Sequence, residues 1–236
     1  MDAALSAAPE GKPGRAEVIP TLARAIYERL RADVLSGHWR PGRKLLMHEL
    51  RAHYGVGASP LREALNRLAS EEWVVHNDQR GFTVAGATPE RLQDLVRTRI
   101  AVETLALAQA LAQRDAAWEE KLVLAFHRLS RAPRSKQPDT FEENPEWERL
   151  HRAFHFALLE GCRSELLLGF CQQLYDQAYR YRQLAARKAY KKRNELEEHR
   201  KLFEAVMAGR LEEASALLAA HYRRTAGILE DGATRG

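Results

Sequence analysis

From Pro89 to Ile228 apolar residues recur only at helical spacing, and no run in that stretch alternates with the two-residue period of a strand. A chain of this kind buries its apolar stripes only against other helices, which predicts an antiparallel bundle. The expected helices, about six, cover 89–114, 116–132, 145–161, 164–186, 190–208 and 211–229. Thr88-Pro89-Glu90 opens the first, with Thr88 as cap and Pro89 at the first helical position, where no N–H partner is lost. Pro133 and Pro138 mark the loop 133–144, and Gly209-Arg210 joins the last two helices. In such bundles, pockets form between side chains on facing helices.

The residues ahead of the bundle read differently. Leu22, Ile26, Leu30 and Val34 give a helix over 21–35, which Gly37 and Pro41 end. A short run over 43–46 leads into a second helix, 47–54, and Gly55-Val56-Gly57 turns the chain into a third, 59–72. Leu61, Ala64, Leu65 and Leu68 fall on one face of that third helix, and Pro60 is harmless in its first turn. Residues 73–76 and 82–85 are strand-like around the polar turn 77–81. Helix, helix, turn, helix and hairpin is the order of a winged helix-turn-helix. The expected fold is therefore mainly α, with the winged unit over 20–86 and the bundle over 87–230. Disordered tails are expected at 1–19, rich in Ala, Pro and Gly, and at 231–236.

Composition bounds the function classes. The 236 residues carry a net charge of +5. Residues 21–86 contribute ten Lys/Arg against seven Asp/Glu, a mild lean compatible with nucleic acid. Cys162 and Cys171 lack CxxC spacing, as expected of a reduced protein. No run of about 18 apolar residues is present and the N-terminus lacks the signal-peptide pattern, so no membrane partner is expected and the cytoplasm is the expected location.

The first third resembles the GntR family of regulators. The resemblance rests on Arg40-Pro41-Gly42-Arg43-Lys44-Leu45, Glu49-Leu50, Tyr54-Gly55-Val56, Ser59-Pro60-Leu61-Arg62-Glu63-Ala64-Leu65, Leu68 and Arg80-Gly81-Phe82, in that order. It implies a DNA-binding transcription regulator, with a dimer matching a palindromic double-stranded operator. Arg62, one turn into the third helix, is the candidate for a bidentate contact to guanine. Ser59 and the N–H groups at that helix start suit a phosphate. Arg80 in the wing is placed for a minor groove or backbone, with Gly81 allowing close approach, and Arg43 and His48 are secondary contacts. The family usually has Ser-Arg where this chain has Gly57-Ala58, so one cap acceptor and one DNA-contacting arginine are missing.

The remainder resembles the FCD ligand-sensing domain of the FadR branch. Arg97-Thr98-Arg99-Ile100-Ala101-Val102-Glu103 resembles its Arg-x-x-Leu-Glu segment, and His151-Arg152-Ala153-Phe154-His155 aligns with its Asp-x-x-x-His. His199 and His221 complete the set. The resemblance implies a divalent metal on one aspartate and three histidines, and His151 stands at the aspartate position. Spacing points the same way: His151 and His155 are one turn apart, and His199 and His221 lie on neighbouring antiparallel helices. Four neutral imidazoles suit zinc, nickel or copper, and zinc or nickel is the expected ion. Arg99 shares a face with Leu95, Val102 and Ala106, so it is expected inside the bundle as the contact for a small organic acid, with Glu103 as its partner when no acid is bound.

Two other functions share these histidines: a metal-dependent hydrolase and a dedicated metal sensor. The sequence carries no HExxH, and Glu148 is the nearest carboxylate, expected at an exposed helix end, so an enzyme is not expected. The basic stretch Arg180, Arg182, Arg187, Lys188, Lys191, Lys192 and Arg193 is expected to be a solvated face. Phe154, Phe156, Phe170, Tyr175, Tyr179 and Tyr181 are expected in the core or the pocket wall.

Overall fold

A computed structural model describes residues 21–77, 81–86 and 88–233, with the side chains of 231–233 left aside. The expected tail 1–19 and the wing residue Arg80 lie outside the described residues.

Helix α1 (Leu22–Ser36) is capped by Thr21 and ends at Gly37, whose φ of 83° directs its N–H back to the Val34 carbonyl. Strand β1 (Lys44–Leu45) precedes α2 (Met47–Tyr54) and α3 (Ala58–Ser70). Gly57 stands at the start of α3 without a side-chain cap bond, as its missing acceptor dictates. The hairpin β2 (Val74–Asn77) and β3 (Gly81–Val84) follows, and β1 joins it in the order β1-β3-β2. Leu45 and His76 flank Phe82 in the antiparallel register. Leu61, Ala64, Leu65 and Leu68 of α3 pack on Ile26 and Leu30 of α1, with Trp39, Trp73, Phe82 and Val84 closing the core.

Six helices make the second unit: α4 (Pro89–Ala112), α5 (Ala116–Arg131), α6 (Pro145–Glu160), α7 (Glu165–Ala189), α8 (Glu195–Met207) and α9 (Leu211–Ala233). Thr88 caps α4, accepting from the Arg91 N–H, with Pro89 next to it. The boundary between α7 and α8 differs from the sequence expectation. α7 runs on to Ala189, Lys191 takes a left-handed φ of 68°, and Asn194 caps α8 by accepting from the Glu197 N–H at 3.1 Å. The acidic first turn Glu195, Glu197 and Glu198 favours that start electrostatically. α9 likewise runs three residues beyond 230, into the segment expected as a tail.

Helix α7 joins the two units, and Arg91 of α4 pairs with Glu72 beside it. Tyr179 leaves the bundle and packs into the core of the winged unit, edge-on to Trp73 with ring centroids 6.2 Å apart. The guanidinium of Arg31 lies 4.7 Å from the Tyr179 ring and 5.2 Å from that of Trp73. Arg180, buried, donates from Nη1 to the Ala85 carbonyl at 2.7 Å. Removing a buried ring of this size costs on the order of 3 kcal/mol. Tyr179→Ala is therefore expected to lower stability by about that amount and to split one calorimetric unfolding transition into two, with both units still folded at 25 °C.

Candidate functional site

Helix α6 sets the centre. Trp147, Leu150, Phe154, Ala157 and Leu158 face the bundle core, and His151 and His155 fall on the same buried face one turn apart. α8 brings His199 and α9 brings His221, so all four imidazoles meet in the interior, each 5% exposed or less. One nitrogen from each ring lies within 4.8 Å of the others, an arrangement able to hold a metal ion.

The outer nitrogens show how the rings are oriented. Nδ1 of His151 is 2.8 Å from the Tyr175 hydroxyl, and Nδ1 of His155 is 3.4 Å from that of Tyr222. Nδ1 of His221 is 2.9 Å from the Glu198 carboxylate. Nε2 of His151 and of His155 face each other at 3.1 Å. His199 has two buried nitrogens without a partner. Outer partners of this kind fix the tautomer and aim a ligating histidine. Orphaned buried nitrogens beside three aimed imidazoles match the donor set of a borderline metal ion, so the residues fit such a group.

Burial drives the electrostatics. Loss of hydration pushes His151, His155 and His199 well below the ordinary 6.5, helped by their mutual proximity. His221 is also lowered by burial, although its bond to Glu198 works the other way. All four are therefore neutral at pH 7, each with a lone pair to offer. Burial raises Glu198 toward protonation, but hydrogen bonds from His221 and Arg193 outweigh it and hold the carboxyl below its usual range.

Arg99 is inside, as expected, 3% exposed and bonded through Nε to Glu103 at 2.7 Å. Glu103 also accepts from the Tyr222 hydroxyl, and the Arg99 guanidinium lies 3.9 Å from the Tyr222 ring centre. Arg99 lines a cavity of about 20 Å³ together with His151, His155, His221 and Arg182. A second cavity of about 310 Å³ meets the cluster from the His199 side, with Arg134, Trp147 and Arg193 in its wall.

Several expectations need correcting here. Glu148 is buried: its Oε1 accepts from Gln183 at 2.6 Å and lies 3.1 Å from Arg134. A carboxylate so engaged is not poised as a general base. Within the basic stretch, Arg187, Lys188, Lys191 and Lys192 are exposed, but Arg180 and Arg182 are buried and the Arg193 side chain is nearly so, paired with Glu198 at 2.7 Å. Phe170 is exposed on α7, whereas Phe154 and Tyr175 are core. Cys171, Tyr175, Ala178, Arg182 and Ala185 share one buried face of α7, a stripe that a charge count conceals.

In the winged unit, Ser59 and Arg62 stand on the exposed face of α3, opposite its buried leucines, and His48 and Arg43 are exposed nearby. Arg43 is held by Glu49 at 3.2 Å. Gly81 has a φ of 80° with open space around it, so its backbone conformation rather than crowding calls for glycine there. No helix among the described residues is long and apolar enough to cross a membrane.

Comparison with known proteins matches two family models to the chain. The model of bacterial regulatory proteins, gntR family, matches residues 22–84, and the FCD domain model matches residues 94–224. The chain is 35% identical over 211 residues to the uncharacterized HTH-type transcriptional regulator BphR of Paraburkholderia xenovorans (strain LB400), covering 89% of this chain and 86% of that one. It is 33% identical over 199 residues to the HTH-type transcriptional repressor GlaR of Escherichia coli (strain K12), covering 83% and 90%. The solved structure of E. coli McbR/YncC superposes with a TM-score of 0.66 at 21% identity, over 91% of this chain and 99% of that one, and shows the shared fold. With both models in sequence order and relatives matched over most of their length, the chain belongs to the gntR family of bacterial regulatory proteins, in the subfamily that carries an FCD domain.

Proposed function

We propose that this transcription regulator binds a palindromic operator as a homodimer, and that a small organic acid beside a divalent metal ion, zinc or nickel, sets its operator affinity. The observation that carries the reading is the convergence of four buried, neutral imidazoles on one point, three of them aimed by Tyr175, Tyr222 and Glu198. His151, His155, His199 and His221 would hold the ion. Four neutral ligands cancel none of its charge, so when bound it supplies a full dipositive centre that attracts a carboxylate. Arg99 adds a fixed positive charge on the same cavity.

The route to DNA runs along α7. Tyr175 and Arg182 face the histidines, while Tyr179 and Arg180, on adjoining turns, contact the winged unit. A ligand that binds one setting of α7 better than another biases the winged unit by that difference in affinity. For the homodimer, exposed Leu105 on α4 and exposed Leu166 and Phe170 on α7 offer apolar surface for a second copy.

On the DNA side, Arg62 is the base-reading candidate and Ser59 the phosphate contact, with Arg43, His48 and the wing residues Arg80 and Gly81 around them. Arg62→Ala is expected to weaken specific operator binding by about 1–3 kcal/mol without changing the melting temperature. Fluorescence anisotropy on operator and scrambled duplexes checks this, and wild-type discrimination in the variant would move recognition away from α3.

Elemental analysis of purified protein is expected to find close to one zinc or nickel per chain. His155→Ala, His199→Ala and His221→Ala should each lose most of it, and His151→Ala less, because the resemblance to the FCD domain puts an aspartate at its position.

The metal-free protein has a pH signature. In the unfolded chain the histidines take up protons below about 6.5, whereas the folded bundle keeps them neutral well below that. Stability is therefore complete above about pH 6.5 and falls as pH drops through it, since the unfolded state binds more protons. Thermal melts of chelator-stripped protein from pH 8 to 5 are expected to show this decline, and the quadruple His→Gln variant should show a much shallower one.

A further inference from the structure

All four histidines are buried, so an ion reaches them only if part of the bundle moves aside. Three of the cavities among the described residues touch the cluster. The one walled by His151, His155, His221 and α4 has about 20 Å³, room for about one water. The other two are far larger, about 310 Å³ reaching His199 and about 810 Å³ reaching His221. Both are bounded by the same short stretch of chain, since Ala189, Arg193 and Asn194 line each of them. That stretch is the connection between the end of α7 at Ala189 and the start of α8 at Glu195, and it forms the partition between the two cavities.

One side chain pins that connection to the bundle. Nε and Nη2 of Arg193 donate to the two carboxylate oxygens of Glu198 at 2.9 and 2.7 Å, a bidentate pair to α8. Nη1 donates to the Thr225 hydroxyl at 2.8 Å and Nη2 to the His221 carbonyl at 3.1 Å, both on α9. Nη2 also lies 3.2 Å from His221 Nδ1. The outer anchors are weaker. The Tyr190 hydroxyl donates to the Gln137 carbonyl at 3.0 Å and Lys191 pairs with Asp139 at 2.7 Å, but both contacts are at the exposed surface, where such pairs stabilise little. Lys191 also holds a φ of 68°, a left-handed conformation that disfavours a residue with a Cβ. The connection is thus strained at its middle and fastened to α8 and α9 at one buried point.

We infer that the connection 190–194 is the door through which an ion enters and leaves the histidine centre, and that Arg193 is its latch. The inference rests on the metal reading given above. Release of the guanidinium from Glu198 and Thr225 frees the connection, merges the two larger cavities and uncovers His199 and His221. His151 and His155 line neither of those cavities and stay covered. A door that closes alike with and without the ion has no preference between the two states, so it sets the rates of entry and exit and leaves the affinity alone. That separates it from support of His221 through Glu198, whose loss weakens binding itself.

The test has two arms on full-length protein. Chelator-stripped protein is treated with diethyl pyrocarbonate, which modifies neutral imidazoles, and the labelled histidines are read by peptide mass spectrometry. In the wild type, His199 and His221 are expected to label ahead of His151 and His155, and all four well behind exposed His48 and His127. Arg193→Gln should speed labelling of His199 and His221 about tenfold, the loss of a charge-assisted bond, with His127 unchanged. In the second arm, stopped flow follows zinc uptake and its transfer to a chromophoric chelator. Both rates should rise in Arg193→Gln by the same factor, with the affinity as in wild type. Because Arg193 also touches Glu198 and His221, Tyr190→Phe combined with Asp139→Asn removes the outer anchors alone, and a few-fold rise in both rates is expected there. Labelling of all four histidines at one rate, or zinc rates unmoved in both variants, would overturn the door. Weaker zinc binding in Arg193→Gln with the entry rate unchanged would make Arg193 a support of Glu198 and overturn the latch. Protein that takes up no zinc would remove the metal reading and the inference with it, whereas normal uptake with unmoved rates would remove the inference alone.

Discussion

The interior of the bundle is polar where a helical bundle is ordinarily apolar, and the rest of the structure is arranged around the cost of that. Four imidazoles, two guanidinium groups and the carboxylate of Glu103 are buried together between α4, α6, α7, α8 and α9. Burying such groups is tolerable only where each finds a partner. Tyr175, Tyr222, Glu103 and Glu198 serve as those partners, and each also fixes the direction of the group it meets. The nitrogens left over, on His199, Arg99 and Arg182, point to where a ligand belongs.

α7 joins that polar interior to the DNA-binding unit because its two faces serve two cores. Tyr175 and Arg182 belong to the histidine cavity, and Tyr179 belongs to the core of the winged unit. A helix is stiff over such a distance, and Arg182 stands within one turn of Tyr179 and Arg180, which is the geometry the proposed coupling uses. The Arg180 bond to the Ala85 carbonyl lies at the point where the chain leaves the wing for α4. The account needs no long relay between ligand and DNA, only a small difference in the setting of one helix.

Most of this fold was legible in the sequence. The capped start at Thr88, the stop at Gly37, the apolar face of α3 and the hairpin all follow from local rules, and local rules decide them. The histidine set was legible from the resemblance to the FCD domain, supported by the one-turn spacing of His151 and His155 and by the neighbouring helices of His199 and His221. The basic stretch from Arg180 to Arg193 was not. A run of arginines and lysines reads as solvated, and only the tertiary packing shows that Arg180, Arg182 and Arg193 turn inward to a carbonyl, a tyrosine ring and a carboxylate. Glu148 was misplaced for the same reason, since its burial depends on Gln183 and Arg134 from distant parts of the chain. The end of α7 was set short, and the α8 start was missed because an asparagine cap at Asn194 outweighed the continuing helical pattern.

The central claim is that metal and acid act together in the bundle and that α7 carries their effect to DNA. It is tested most directly by measuring operator affinity across a series of short carboxylates, with the same protein either metal-loaded or stripped by chelation. The account predicts that acid shifts operator affinity in the metal-loaded protein and shifts it little or not at all in the stripped one. An equal shift in both would take the metal out of the sensing step, and a shift on metal loading alone, with none on adding acid, would make the ion itself the signal and contradict the account.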